Sequence, residues 1–322
     1  MLKIFEVTFP FFALVLAGYV AAYRRMLTLD AIPGLNAFVL FFALPCMLYR
    51  FGANTPLNEL LDVPLFLVYL ACGLIMVAFT LAMTLSARIR WNDGALGALV
   101  AIFPNTGFMG VPLLVALLGE AAAGPAIVTI VCDLVVISSL CVGLSRLDHA
   151  GGQGAWRAIK LALKGVLTNP MPWAIGLGAL ASATQWHLPL VIDATVGLLA
   201  QAASPVALFT IGAVLARSVR QTQNDPSLNV PWREYVPVAM FKLVLHPLLV
   251  LLALLLARRF GVEVDAFAVV VVVLVAALPS ASNVSLLAER LGANNGRIAR
   301  IILVSTVLAF PSFSLMVNVL KP

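Results

Sequence analysis

Hydrophobic residues run along this chain in blocks separated by short polar breaks. A helix needs about 20 apolar residues to cross the hydrocarbon core, whereas barrel strands alternate apolar and polar over about 10. The blocks have the first length and do not alternate. Ten spans are predicted, near 4–22, 33–52, 64–87, 94–118 and 124–144, then 166–183, 192–216, 236–257, 265–288 and 297–318. The fold class expected is therefore an all-α polytopic membrane protein. Arg24 and Arg25 follow the first block instead of preceding it, so that block reads as a transmembrane helix and not as a secretory leader.

Two blocks carry what lipid penalises. Span 4 contains Pro104, Asn105, Thr106 and Gly107, then Gly110 and Pro112; span 9 contains Pro279, Ser280, Ser282 and Asn283. Proline within a helix removes one donor and clashes with the carbonyl four residues back. Pro104 is expected to free the carbonyl of Val100, Pro112 that of Phe108, and Pro279 that of Val275. Such groups cost several kcal/mol unless protein or a water-filled cavity satisfies them.

The chain also repeats. Span 2 reads P-x-x-L-Y-x-x-G from Pro45 to Gly52, and span 7 reads P-x-x-L-F-x-x-G from Pro205 to Gly212. Span 4 continues as Leu113-Leu114-x-x-x-Leu118-Gly119, and span 9 as Leu286-Leu287-x-x-x-Leu291-Gly292. Two halves of five spans must lie in the membrane with opposite orientation, so the similarity predicts an inverted repeat. The organisation expected is 1–144 as the first repeat, 145–165 as a cytoplasmic linker and 166–322 as the second repeat. Two broken spans at matching places of such a repeat point to a carrier's central site, with the half-helices crossing there. Half-helix N-termini bring free N–H groups and positive dipole ends, which favour a carboxylate. Asn105, Thr106, Ser280, Ser282 and Asn283 would add neutral hydrogen bonds.

Composition and charge sharpen this. The chain has 322 residues, of which 11% are charged, against about a quarter in soluble domains. Fourteen of the twenty lysines and arginines fall in loops after spans 1, 3, 5, 7 and 9; five lie on the opposite side, and Lys242 is left within a span. The positive-inside rule then places both termini outside the cytoplasm. Cys46, Cys72, Cys132 and Cys141 lie in apolar runs with no CxxC spacing, and read as fillers. No metal, cofactor or nucleic-acid partner is expected.

In PNTGFMGVPLL of span 4, ALPSASNVSLLAERLG of span 9 and KLVLHPLL of span 8 the chain resembles the auxin efflux carrier family, which includes bacterial malonate-type carriers. That resemblance covers essentially the whole chain. It implies ten spans in an inverted repeat with crossing spans 4 and 9, a scaffold with a moving transport part, organic-anion substrates and a homodimer. It makes Asn105 and Asn283 the candidate substrate contacts. The long cytoplasmic loop of many plant members is lacking here, which counts against a plant-type regulated carrier.

Ionisable groups inside spans are functional candidates because isolated charge is costly there. Asp133 in span 5 is either a proton- or ion-coupling group or a hydrogen-bonded packing residue. Lys242 and His246 lie four apart on one face of span 8; the lysine either supplies permanent charge or pairs with Asp133. Arg50 reads as a snorkelling residue of span 2, and Arg290, Arg297 and Arg300 as topology determinants. Glu289 is expected to pair locally.

The function expected is secondary transport of a small organic carboxylate, such as malonate, across the cytoplasmic membrane by an elevator-like alternating-access movement. The alternative is a sodium-coupled symporter of the bile-acid type, and further off a sensor that transports nothing. An intramembrane protease would need two facing aspartates, and a metal hydrolase clustered ligands; neither pattern is present, so no enzyme is expected.

Overall fold

The computed structural model describes residues 2–60, 62–147, 160, 167–224 and 230–320. Most of the expected linker, 145–165, lies outside the described residues, as do the side chains of Leu286 and Glu289. Apart from one isolated bridge, the described residues form helices and turns only.

The helices follow the apolar blocks. They are α1 (Leu2–Tyr23), α2 (Ala31–Asn54), α3 (Val63–Thr84), α4a (Trp91–Ile102), α4b (Thr106–Leu118), α5 (Glu120–Ser145) and α6 (Pro170–Thr184). After these come α7 (Leu190–Asn224), α8 (Trp232–Arg259), α9a (Ala266–Ala276), α9b (Asn283–Leu291) and α10 (Asn295–Val319). Seven of them, α1, α2, α3, α5, α7, α8 and α10, are long and apolar enough to cross a membrane. Spans 4 and 9, expected to be broken, are interrupted pairs of half-helices, and α6 is only 15 residues long. Side-chain caps set several starts. Asn169 accepts from the Met171 N–H at 3.0 Å, Asp265 from Ala268 at 3.0 Å and Asn294 from Arg297 at 3.0 Å.

Three prolines leave the same mark, while Pro10, Pro205 and Pro311 sit inside α1, α7 and α10 without it. The π-helical turns Val39–Ala43, Thr106–Gly110 and Phe241–Leu245 each end two residues before a proline: Pro45, Pro112 and Pro247. The missing N–H and the ring's clash push the ladder to a wider register, so the helix continues instead of stopping. A fourth π-turn, Cys132–Ile137, has no proline. There the Asp133 carbonyl accepts from both the N–H and the hydroxyl of Ser138, the latter at 2.8 Å.

The chain forms two compact units, each drawing on both halves of the sequence. The first comprises 1–62, 106–128 and 169–224; the second comprises 63–105, 129–168 and 225–322. In the first unit α1 packs on α7, and α2 on α6. Both pairs meet at glycines. A Cβ at Gly18 would collide with the Phe209 carbonyl, and one at Gly212 with the Val15 carbonyl. A Cβ at Gly178 would lie 2.5 Å from the Tyr49 oxygen, and one at Gly52 lies 3.2 Å from that of Ile175. Small residues at these crossings let backbones approach and gain dispersion contact where lipid offers no hydrophobic drive. Gly178 follows Gly18, and Gly212 follows Gly52, by the same 160 residues that separate Pro45 from Pro205. Arg50 lies half-buried against Gly197 in this unit, where a Cβ would come within 2.8 Å of its Nη1.

In the second unit one end is tied by polar contacts. Arg297, with 1% of its surface exposed, donates from Nε to the Glu234 carbonyl at 2.9 Å and from Nη1 to the Asp93 carbonyl at 2.8 Å. The Asp93 carboxylate accepts from the Asn294 N–H at 2.7 Å, and Asn92 donates to the Leu291 carbonyl at 3.0 Å. Arg297 thus joins the starts of α4a, α8 and α10, a packing role beyond the surface-charge role expected from its sequence position. Gly97 leaves the room it needs, since a Cβ there would sit 2.6 Å from Nη1.

Gly212→Val is expected to lower the unfolding temperature in detergent, with an overpacking cost of about 1–3 kcal/mol. Gly143→Ala, whose Cβ meets nothing within 4 Å, is expected to leave it unlowered.

Candidate functional site

The second unit brings the two interruptions together. Helix α4a ends at Ile102 and α9a at Ala276, and the chain after each is unwound. Pro104 and Ser280 form an antiparallel bridge. The Asn105 N–H donates to the Pro279 carbonyl at 2.8 Å, and the Ala281 N–H to the Phe103 carbonyl at 2.9 Å. Each break therefore satisfies the other's backbone, which an isolated kink in lipid cannot do. The Ser280 N–H adds a bond of 3.2 Å to the Ser305 hydroxyl of α10, which itself donates to the Ile302 carbonyl.

The carbonyl freed in span 9 is not the one expected. Val275 is taken by the Leu278 N–H at 3.1 Å, because the helix tightens before it ends. The exposed partner is Ala276, whose carbonyl accepts from Lys242 Nζ at 2.8 Å.

Pro104, Asn105, Pro279, Ser280 and Ser282 are all buried at this bridge, and Asn283 opens α9b half-buried. Ser280 Oγ and Asn283 Oδ1 are buried atoms without a hydrogen-bond partner. They are polar capacity held in reserve, which a native interior rarely leaves unexplained. Thr106 and Gly107 begin α4b in the first unit, where the buried Thr106 Oγ1 is likewise unpartnered. The site can thus offer hydroxyl and amide groups with the first turn of α9b beside them. That chemistry suits a small anion bound by neutral donors.

The ionisable residues form a separate buried group in the same unit. Tyr69, Asp133, Lys242 and His246 are each fully buried. Tyr69 donates from its hydroxyl to Asp133 Oδ2 at 3.1 Å. Lys242 Nζ lies 3.1 Å from His246 Nδ1, and the Tyr69 and His246 rings are 5.9 Å apart. An ammonium has donors only, so Nδ1 accepts and the ring proton sits on Nε2. Lys242 spends its hydrogen bonds on Ala276 and His246 and not on the carboxylate. Asp133 and Lys242 both sit in π-turns, a distortion that concentrates at functional positions. Asp133 Oδ1 and His246 Nε2 have no partner. Sequence reasoning missed Tyr69 and Ser305; each was legible only as a lone polar group in an apolar span.

The four cysteines are free; Cys46 is half-buried and the others buried. No group of three or more His, Cys, Asp or Glu is gathered among the described residues.

A polytopic helical chain with paired breaks and buried polar groups is a membrane transporter in kind. It matches the family model described as "Membrane transport protein" over residues 3–317, and it belongs to that family, the auxin efflux carrier family. It is 29% identical over 316 residues to the "Putative malonate transporter" of Rhizobium meliloti (strain 1021), covering 96% of this chain and 93% of that one. It is 27% identical over 249 residues, 76% of each chain, to the "Uncharacterized transporter YfdV" of Escherichia coli (strain K12). A further "Uncharacterized transporter", from Methanothermobacter thermautotrophicus, is 27% identical over 319 residues, 96% of each chain.

Tyr69→Phe leaves Asp133 Oδ2 without its donor and is expected to cost about 1–3 kcal/mol. Ser305→Ala, which strands the Ser280 N–H, is expected to destabilise comparably. Thermal unfolding in detergent checks both.

Proposed function

We propose that this chain is a secondary carrier for a small organic carboxylate, malonate being the first candidate. The observation that carries this is the backbone bridge between the two breaks, with the Ser280 hydroxyl left free to donate beside the start of α9b. The name of the Rhizobium meliloti relative supports the substrate class.

In this reading the ten segments are spans of two inverted repeats, 1–144 and 166–322, with the linker between, and the bridge is their crossing point. The glycine pairs support it. The α1–α7 and α2–α6 crossings exchange places under a 160-residue offset, as the equivalent contacts of two repeats would. The unit composition supports it in part: 1–62 and 169–224, matching segments of the two halves, fall in the same unit, whereas α4b and α9b fall in different ones. The second unit, which holds the bridge, is the part that carries substrate; the first serves as scaffold and dimer surface. Movement is elevator-like. In this reading the chain resides in the cytoplasmic membrane, and the distribution of lysine and arginine supports both termini lying outside.

The sodium-coupled alternative needs carbonyl and acidic ligands converging on a cation. Lys242 already occupies the Ala276 carbonyl and faces Asp133, which weighs against a cation there.

Purified protein in liposomes is expected to exchange labelled malonate or another carboxylate found by a thermal-shift screen. Asn283→Ala removes the side-chain amide, whose N–H is the group able to donate to a carboxylate. It is expected to weaken binding about tenfold, the worth of one hydrogen bond to a charged group, and, since Oδ1 has no protein partner, to leave thermal stability unlowered. Asn105→Ala is expected to do the same, and normal binding and flux in both variants would sink the site assignment. Non-permeant reagents applied to intact cells are expected to reach a tag at the C-terminus.

A further inference from the structure

The anion site and the buried ionisable group are joined by one hydrogen bond. Lys242 Nζ donates at 2.8 Å to the carbonyl of Ala276, the last residue of α9a. Pro279 follows three residues later, so its Cα lies at most about 11 Å from that of Ala276. A helix C-terminus carries free carbonyls and partial negative charge, and an ammonium placed there satisfies both. Lys242 therefore caps the half-helix whose unwound continuation carries Pro279 and Ser280.

A fully buried ammonium needs a negative balance. The charged and titratable groups facing Lys242 are Asp133 and His246. Those facing Asp133 are Lys242, Tyr69 and the thiols of Cys132 and Cys141. Helix α9a contributes no ionisable side chain; Arg297 of α10 donates to the backbone carbonyl of Asp93 on α4a, and the Asp93 carboxylate accepts from the Asn294 N–H. Asp133 is thus the carboxylate available to neutralise Lys242. It is held by a single side-chain donor, Tyr69, while its Oδ1 is buried and unserved. Two anions, the Asp133 carboxylate and an incoming substrate carboxylate, stand within the field of one cation in a low-dielectric interior.

We propose that Lys242 is a positioning residue that shares its charge between Asp133 and the substrate, making carboxylate transport proton-linked. With the site empty, ionised Asp133 balances the ammonium. When a substrate carboxylate arrives at the break, Asp133 takes one proton from water, and Lys242 then balances the substrate. When the substrate leaves, the proton returns to water. Nothing is oxidised or reduced, and the loaded carrier holds one proton more than the empty one. The capped carbonyl of Ala276 is the physical link between the two anions. This inference rests on the carboxylate reading of the site.

The test uses the full chain in detergent and malonate as the probe, with binding followed by calorimetry in buffers of different ionisation enthalpy. Between about pH 6.5 and 8.5, where carboxylates stay ionised, wild type is expected to take up about one proton per malonate bound. Its apparent affinity then weakens by up to about tenfold per pH unit as the pH rises. Asp133→Asn, neutral at every pH, is expected to bind malonate without proton uptake and without that slope. Asp133→Asn combined with Lys242→Met is expected to bind more weakly than Asp133→Asn alone, since the cation is gone while the cluster stays neutral. Malonate binding by wild type with no proton uptake, or an unchanged slope in Asp133→Asn, overturns the coupling and leaves the carrier assignment standing. If the Asn variant does not fold, the wild-type proton count decides. If no carboxylate of a panel binds at any pH, the carboxylate reading falls and this inference falls with it.

Discussion

In a bilayer every backbone N–H and C=O must find a partner inside the protein, and an interrupted helix breaks that rule. The second unit resolves it by letting two interruptions complete each other across the Pro104–Ser280 bridge. Each break is tolerable because the other exists. Neither Pro104 nor Pro279 has an N–H to lose, so proline sits where the donor would have gone unused in any case. The same arrangement brings unwound chain, unpaired hydroxyl and amide oxygens, and the start of α9b to one buried place. Structural necessity and the proposed binding share the same few residues.

Around the bridge, the unit is made stiff from two directions. At one end Arg297 draws α4a, α8 and α10 together through carbonyls, and Gly97 gives it room. On the other side Lys242 ties α8 to the last carbonyl of α9a. A carrier element that holds a substrate through neutral hydrogen bonds needs such stiffness, because its donors are useful only if they stay aimed. The first unit has a different construction, with backbones in contact at Gly18 and Gly212 and at Gly52 and Gly178. Polar ties hold the second unit and close glycine packing the first, a contrast that suits the proposed division into a substrate-carrying part and a scaffold.

The buried ionisable residues show why two charges can persist in an apolar unit without meeting as an ion pair. Lys242 is stabilised by a helix end and an imidazole, Asp133 by a tyrosine hydroxyl. Their remaining orphan atoms, Asp133 Oδ1 and His246 Nε2, mark a network left incomplete. Incomplete buried networks are costly, so a functional reason for this one is the economical explanation.

The sequence by itself determined the helical membrane class, the places where helices break and the family. These depend on apolar block length, on proline's missing donor and on a motif, all local properties. It also singled out Asp133, Lys242 and His246, since any ionisable residue within an apolar block stands out. Tertiary structure decided the partners. That Lys242 turns to Ala276 instead of Asp133, that Tyr69 serves the carboxylate, and that Arg297 is buried are outcomes of packing between segments 34 to 204 residues apart. No local pattern encodes them. The freed carbonyl shifted from Val275 to Ala276 for the same kind of reason: a helix end tightens according to what is near enough to accept or donate, and only the folded neighbourhood sets that.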